Sequence, residues 1–167
     1  MSEKLVYVAT PIWNAKIDRD VLEFVENLLL GLGLDAFIPA LKDESTLADT
    51  EIWKRDLAKI EESDFVIAEV SQPSSGTGYE IAYAYSWKKP VIGLLKSKKK
   101  TGDISAMISG SPNVILIRYK DLNDLKEKLR SFKGKLASLK VESCARCEVD
   151  TVHVEDECYR CATSVVT

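Results

Sequence analysis

Three groups of residues in this chain have the types and spacing to do chemistry. The first is a pair of knuckles, Cys144-Ala-Arg-Cys147 and Cys158-Tyr-Arg-Cys161, which hold all four cysteines with ten residues between them. Two such pairs can offer four thiolates to one Zn²⁺, and a closed four-Cys site has no open position for substrate, so the zinc would be structural. Disulfides or free thiols are the alternative. The second group is the run Ser71-Gln-Pro-Ser-Ser-Gly-Thr-Gly-Tyr-Glu80. Its small residues let backbone approach a ligand, and the helix that follows offers N–H groups to a phosphate or sugar hydroxyls. It is not a Walker motif, because no Lys-Ser/Thr follows the glycines, nor has it the dinucleotide spacing. An ordinary strand–helix turn would have a similar composition. Glu80 reads as a first-turn carboxylate, either favoured there by the helix dipole or acting as a nucleophile or base at the lip of the loop. Its neighbours Ile81, Ala82, Ala84 and Tyr85 read as buried. The third group is Asp56, which falls inside an apolar helical stripe of Ile52, Trp53, Leu57 and Ile60. A charge there is costly unless it is paired or faces a cavity.

These residues need a frame, and the pattern of the chain supplies one. Short apolar runs at 5–9, 36–39, 64–70, 90–95 and 113–118 read as strands. Between them lie helical patterns: Val21, Leu22, Val25, Leu28 and Leu29 after the N-cap Asp18, then 50–62, 79–87 and 121–132. Strands that alternate with helices and are apolar on both faces predict a five-stranded, flavodoxin-like, doubly wound parallel sheet. Ligands in that α/β fold sit at the carboxyl ends of the strands, which points to residues 10–14, 71–80 and 96–105. Residues 133–142 read as a polar linker into a small zinc-ribbon-like tail with a hairpin at 151–154. That divides the chain into 1–135 and 136–167. His153, the one histidine, reads as a surface residue of the hairpin.

Composition narrows the function. Lys and Arg number 23 against 26 Asp and Glu, a net charge of −3, which gives no electrostatic reason to bind a nucleic-acid polymer. No apolar run approaches the roughly 20 residues of a membrane span. The opening Met1-Ser-Glu-Lys has no signal-peptide pattern, so a cytoplasmic, reducing location is expected, where paired cysteines more often hold metal than form disulfides.

The run Ala68-Glu-Val-Ser-Gln-Pro-Ser-Ser-Gly-Thr-Gly-Tyr-Glu-Ile-Ala-Tyr-Ala resembles the signature of the nucleoside 2-deoxyribosyltransferase superfamily. It looks most like the Rcl-type branch, which hydrolyses 2′-deoxynucleoside 5′-monophosphates. Val6-Tyr7-Val8-Ala9, Arg55-Asp56-Leu57 and Ser105-Ala-Met-Ile-Ser-Gly110 agree in order, so the likeness covers about 5–132. The resemblance implies that Glu80 attacks C1′ of the deoxyribose, that Asp56 contacts the base and helps protonate it, and that Tyr7 orients Glu80. It implies that Ser74, Gly76 and Gly78 hold the 5′ end, that Ser105 crosses a homodimer interface, and that catalysis needs no cofactor. One segment departs from the pattern. The hydrolases grip phosphate with a Ser and an Arg after the first strand, whereas here the loop reads Thr10-Pro-Ile-Trp-Asn14, with Trp13 at the Arg position. That loop looks more like the transferases, which exchange bases between unphosphorylated nucleosides; Trp13 would stack on a base or simply pack. Lys96-Ser-Lys-Lys-Lys100 offers phosphate contacts or a solvated loop. A non-catalytic nucleotide-binding module with an interaction tail is a third reading.

Overall fold

The computed structural model describes residues 4–11, 18–97 and 104–163. Five parallel strands form one sheet in the order β2-β1-β3-β4-β5: β1 Leu5–Ala9, β2 Asp35–Phe37, β3 Phe65–Glu69, β4 Val91–Lys96 and β5 Val114–Tyr119. All five residues of β3 are buried, as a central strand covered on both faces requires. On one face α1 (Arg19–Leu30) and α5 (Leu122–Phe132) bury Val25, Leu29, Leu125 and Leu129 against Val8, Ile67 and Ile92. On the other, α2 (Asp49–Glu62) and α3 (Ser75–Ser86) bury Leu57, Ile60, Ile81 and Ala84 against Tyr7, Val66 and Leu95. The flavodoxin-like sheet is therefore as the pattern predicts, and its order reverses at β1 and β3. Among the described residues no helix is long and apolar enough to cross a membrane.

Several expectations need correction. The third helix begins at Ser75 rather than Tyr79, because the Ser74 hydroxyl caps it by accepting the Thr77 N–H at 3.2 Å. Glu80 is consequently in the second turn, beyond the N–H groups that a helix end leaves unpaired. Ala82 and Tyr85 lie on its exposed side. Trp53 also leaves the apolar stripe and is 52% exposed, its indole donating to the Tyr79 hydroxyl at 3.4 Å. Residues 133–142 are no linker. They form a 3₁₀ segment, Lys133–Ser138, that buries Leu136, and then strand β6 (Lys140–Cys144).

β6 pairs with β7 (Val149–Val154), which pairs with the short β8 (Glu157–Cys158); helix α6 (Tyr159–Thr163) follows. This small antiparallel sheet packs Val141, Val152 and Val154 against Ile115 of β5. His153 is buried rather than on the surface, with Nδ1 against the Thr151 carbonyl at 3.1 Å.

Candidate active site

Three segments that are far apart in sequence meet beside β1. Tyr7 is fully buried in the middle of β1, and its hydroxyl donates to Glu80 Oε1 at 2.5 Å across 73 residues of sequence. The alternation of β1 aims Tyr7 at the α2–α3 face, where α3 presents Glu80. Burial pushes the Glu80 carboxyl up to about 7; the Tyr7 hydroxyl holds it down and the Asp56 charge adds to the rise. Tyr7 itself is raised, first by burial and then by the Glu80 charge, so it stays a protonated donor at neutral pH. Asp56 is also raised by burial, against the pull of Arg55.

Arg55 was not assigned a role from the sequence. Its Nε donates to Asp56 Oδ1 at 2.8 Å and its Nη2 to Glu44 Oε1 at 2.5 Å. The guanidinium also lies 5.4 Å from the centre of the Phe37 ring, and that ring stacks on Tyr7 at 5.9 Å. The cation therefore ties the acidic helix to the tyrosine strand. An Arg next to an Asp in a half-buried stripe was the available signal.

The other candidates lie elsewhere. Ser74, Gly78 and Ser105 line a cavity of about 1020 Å³ between α3 and residues 104–112, which include α4 (Ala106–Ser109). Neither Tyr7, Asp56 nor Glu80 lines it. Ser105 and Glu80 of one chain thus face opposite flanks of α3. A Cβ built at Gly78 would meet nothing within 4 Å, and at Gly76 only the Ser74 hydroxyl at 3.8 Å. The fold itself does not demand these glycines. Thr10 at the end of β1 and Thr77 in α3 are buried, and their hydroxyls find no hydrogen-bond partner among the described residues. Orphan hydroxyls cost stability, and a bound polar group would satisfy them. Lys96 pairs with Asp18 at 3.2 Å. Trp13 and Lys98 to Lys100 lie outside the described residues.

The cysteine knuckles do converge. All four sulfurs lie within 4.8 Å of one another, with Cys144–Cys161 at 3.7 Å, Cys147–Cys158 at 3.8 Å and Cys147–Cys161 at 3.5 Å. A tetrahedron of Zn–S bonds of about 2.3 Å puts its sulfurs about 3.8 Å apart, so the donor set fits the ion. The Cys144 thiol is drawn down to about 6, chiefly by the Cys147 N–H, whereas Cys161 is pushed up to about 12 by its neighbour Cys147. Four sulfurs this close cannot all ionise without a cation among them.

The sheet order and the half-buried carboxylate bonded to a tyrosine at its reversal point belong to a flavodoxin-like α/β enzyme. The chain belongs to the nucleoside 2-deoxyribosyltransferase family, whose model matches residues 6–156. A Thermofilum pendens protein named for 2′-deoxynucleoside 5′-phosphate N-hydrolase activity is 36% identical over 136 residues, 75% of this chain and 92% of its own length. A 5-hydroxymethyl-dUMP N-hydrolase of Branchiostoma floridae is 48% identical over 63 residues, 38% of this chain and 59% of its own. Among solved structures, a CMP N-glycosidase of Clostridium botulinum superposes with a TM-score of 0.55 at 27% identity, covering 77% of this chain and 99% of that one.

Proposed function

We propose that this chain hydrolyses the N-glycosidic bond of 2′-deoxynucleoside 5′-monophosphates, releasing the free base and 2-deoxyribose 5-phosphate. The observation that carries the reading is the 2.5 Å bond from Tyr7 to a half-buried Glu80 near Asp56, in a chain whose relatives are named for this reaction. Ionised Glu80 attacks C1′ as the bond to the base nitrogen breaks, and the bonding pair leaves with the base. Asp56, biased towards its protonated form by burial, returns a proton to that nitrogen. The resulting glycosyl ester is opened by water at C1′, whose proton passes to the Asp56 carboxylate, so that Asp56 is again protonated and Glu80 again a carboxylate. The first turn of α3, with Ser74 and the unobstructed Gly76 and Gly78, accepts the 5′ end, and the Thr10 hydroxyl is a further partner for substrate.

A second reading is base exchange between deoxynucleosides. It is favoured by Thr10-Pro-Ile-Trp-Asn14, where Trp13 stands at the phosphate-binding Arg position. Three incubations separate the two: dGMP, deoxyguanosine, and deoxyguanosine with free adenine. Guanine released from dGMP alone supports the hydrolase; deoxyadenosine formed in the third overturns it in favour of the transferase. No turnover in any of them leaves the non-catalytic module.

The four cysteines hold one structural Zn²⁺ in the tail, 136–167, while the chemistry belongs to 1–135. Metal analysis of the purified chain should give about one zinc per chain. Cysteines held by a metal rather than in disulfides suit a reducing cytoplasm. The chain works as a homodimer in which Ser105 serves the partner's site; its position on the flank of α3 opposite Glu80 supports this.

A further inference from the structure

Besides its apolar seat on β5, the metal-bearing tail touches the body at the wall of the α3–α4 cavity. The Pro112 carbonyl accepts two hydrogen bonds from β7, from Val152 N at 3.1 Å and from Thr151 Oγ1 at 3.0 Å. Thr151 and Val152 are both essentially buried. The Gly110 carbonyl accepts from Arg160 Nη1 at 3.3 Å. Arg160 stands within the second knuckle, between Cys158 and Cys161, so the path of the backbone around the sulfurs decides where its guanidinium points. Lys88, just after α3, adds an ion pair to Asp150 of β7 at 2.9 Å.

The segment these bonds hold has little else to hold it. α4 is a single turn of four residues and buries none of them; Met107 is 84% exposed. Only Ile104 and Ile108 lean, partly buried, on the apolar layer beneath. A turn this short does not persist by its own propensity. Yet residues 104–112 form one side of the cavity and carry Ser105.

We propose that the four-Cys knuckle, with its metal, is a clamp that fixes the Gly110–Pro112 strap and through it the α4 wall of the cavity. The tail is then a positioning device for substrate binding rather than an independent appendage. Losing the metal frees the knuckle, moves Arg160 off Gly110 and loosens α4, while the main sheet keeps its structure. This inference rests on the zinc reading above. Its effect on KM rests also on the placing of substrate at this wall, but its effect on backbone protection does not.

The test measures amide hydrogen exchange and kinetics on the full chain with zinc bound, after zinc has been removed by chelation, and in Arg160→Ala. Exchange in 104–112 should quicken about tenfold on zinc removal, as expected for the loss of one charge-assisted bond and its neighbours, with β1 and β3 unchanged. Arg160→Ala should retain one zinc, quicken exchange in the same segment, and raise KM about three- to tenfold with kcat within about twofold. Were chelation to unfold the whole chain, Arg160→Ala and Thr151→Val, which leave all four sulfurs in place, decide by the same readout. A chain that binds zinc but exchanges 104–112 at one rate with metal, without it and in these variants overturns the clamp and leaves the zinc reading standing. A chain that binds no zinc overturns both.

Discussion

Two opposed influences set the charge on Glu80. Burial raises it to about 7, and the Tyr7 hydroxyl, which bonds the ionised form, restrains that rise. A nucleophile must be ionised, so kcat/KM for base release should climb from acid pH with a midpoint near 7. Tyr7→Phe removes the restraint. The midpoint should move up by about one pH unit and the rate at neutral pH fall about tenfold, which a pH–rate profile would show. An unmoved midpoint would show that the hydroxyl does not hold the carboxylate. Stability carries the same signature with the sign reversed. The folded protein binds this proton more tightly than the unfolded chain, whose Glu titrates near 4.5. The stabilisation is therefore complete below 4.5 and is lost as pH rises through 7. Glu80→Gln should be inactive yet more stable than the parent at pH 8, on the order of 1–3 kcal/mol, with no gain at pH 4. Urea unfolding at both pH values measures this, and equal stability at pH 8 would contradict a buried charge. The sequence singled out Glu80 and Asp56 because a carboxylate in a small-residue run or an apolar stripe violates local patterning. It could not show from patterning alone that Tyr7 would bond Glu80, nor that Arg55 would bridge Asp56, Glu44 and Phe37. Those contacts exist only once β1, α2 and α3 have packed.

Helix α3 is where local propensity and tertiary demand disagree. Ser75-Gly-Thr-Gly78 is poor helix sequence and reads as loop, but the Ser74 cap and the burial of Thr77 and Ile81 carry the helix through it. The fold gains nothing from Gly78, whose added Cβ would stand in open space. Gly78→Ala should therefore stabilise the protein by about 0.5–1 kcal/mol through helix propensity while raising KM several-fold by filling the approach of the 5′ end. Thermal unfolding and saturation kinetics on one preparation decide it. A variant that is stabilised with KM unchanged would mean that the glycine holds no ligand. The same contest explains the rest of the fold's legibility. α1 and α5 were readable because Val25, Leu29, Leu125 and Leu129 repeat at helical spacing and nothing competes. Residues 133–142 are not, because Leu136, Leu139 and Val141 follow neither helical nor strand spacing throughout, and their burial is created by α5, Ile115 and β7.

In the whole molecule Ser105 and Glu80 lie on opposite flanks of α3, so one chain does not bring them to the same cavity. In the proposed homodimer each Ser105 serves the partner's Glu80 site. Ser105→Ala alone should then lose substrate affinity in both sites, and Glu80→Gln alone should lose turnover in both. Mixing the two variants and allowing subunits to exchange gives a different result. In a mixed dimer one site collects both defects and the other has neither. With random pairing, half the dimers are mixed and each has one intact site, so activity should recover to about a quarter of the parent's. Sedimentation at the assay concentration confirms that exchange occurs between dimers rather than through larger assemblies. If Ser105 instead serves the chain that carries it, every site in the mixture keeps one defect and the activity never exceeds the mean of the two variants.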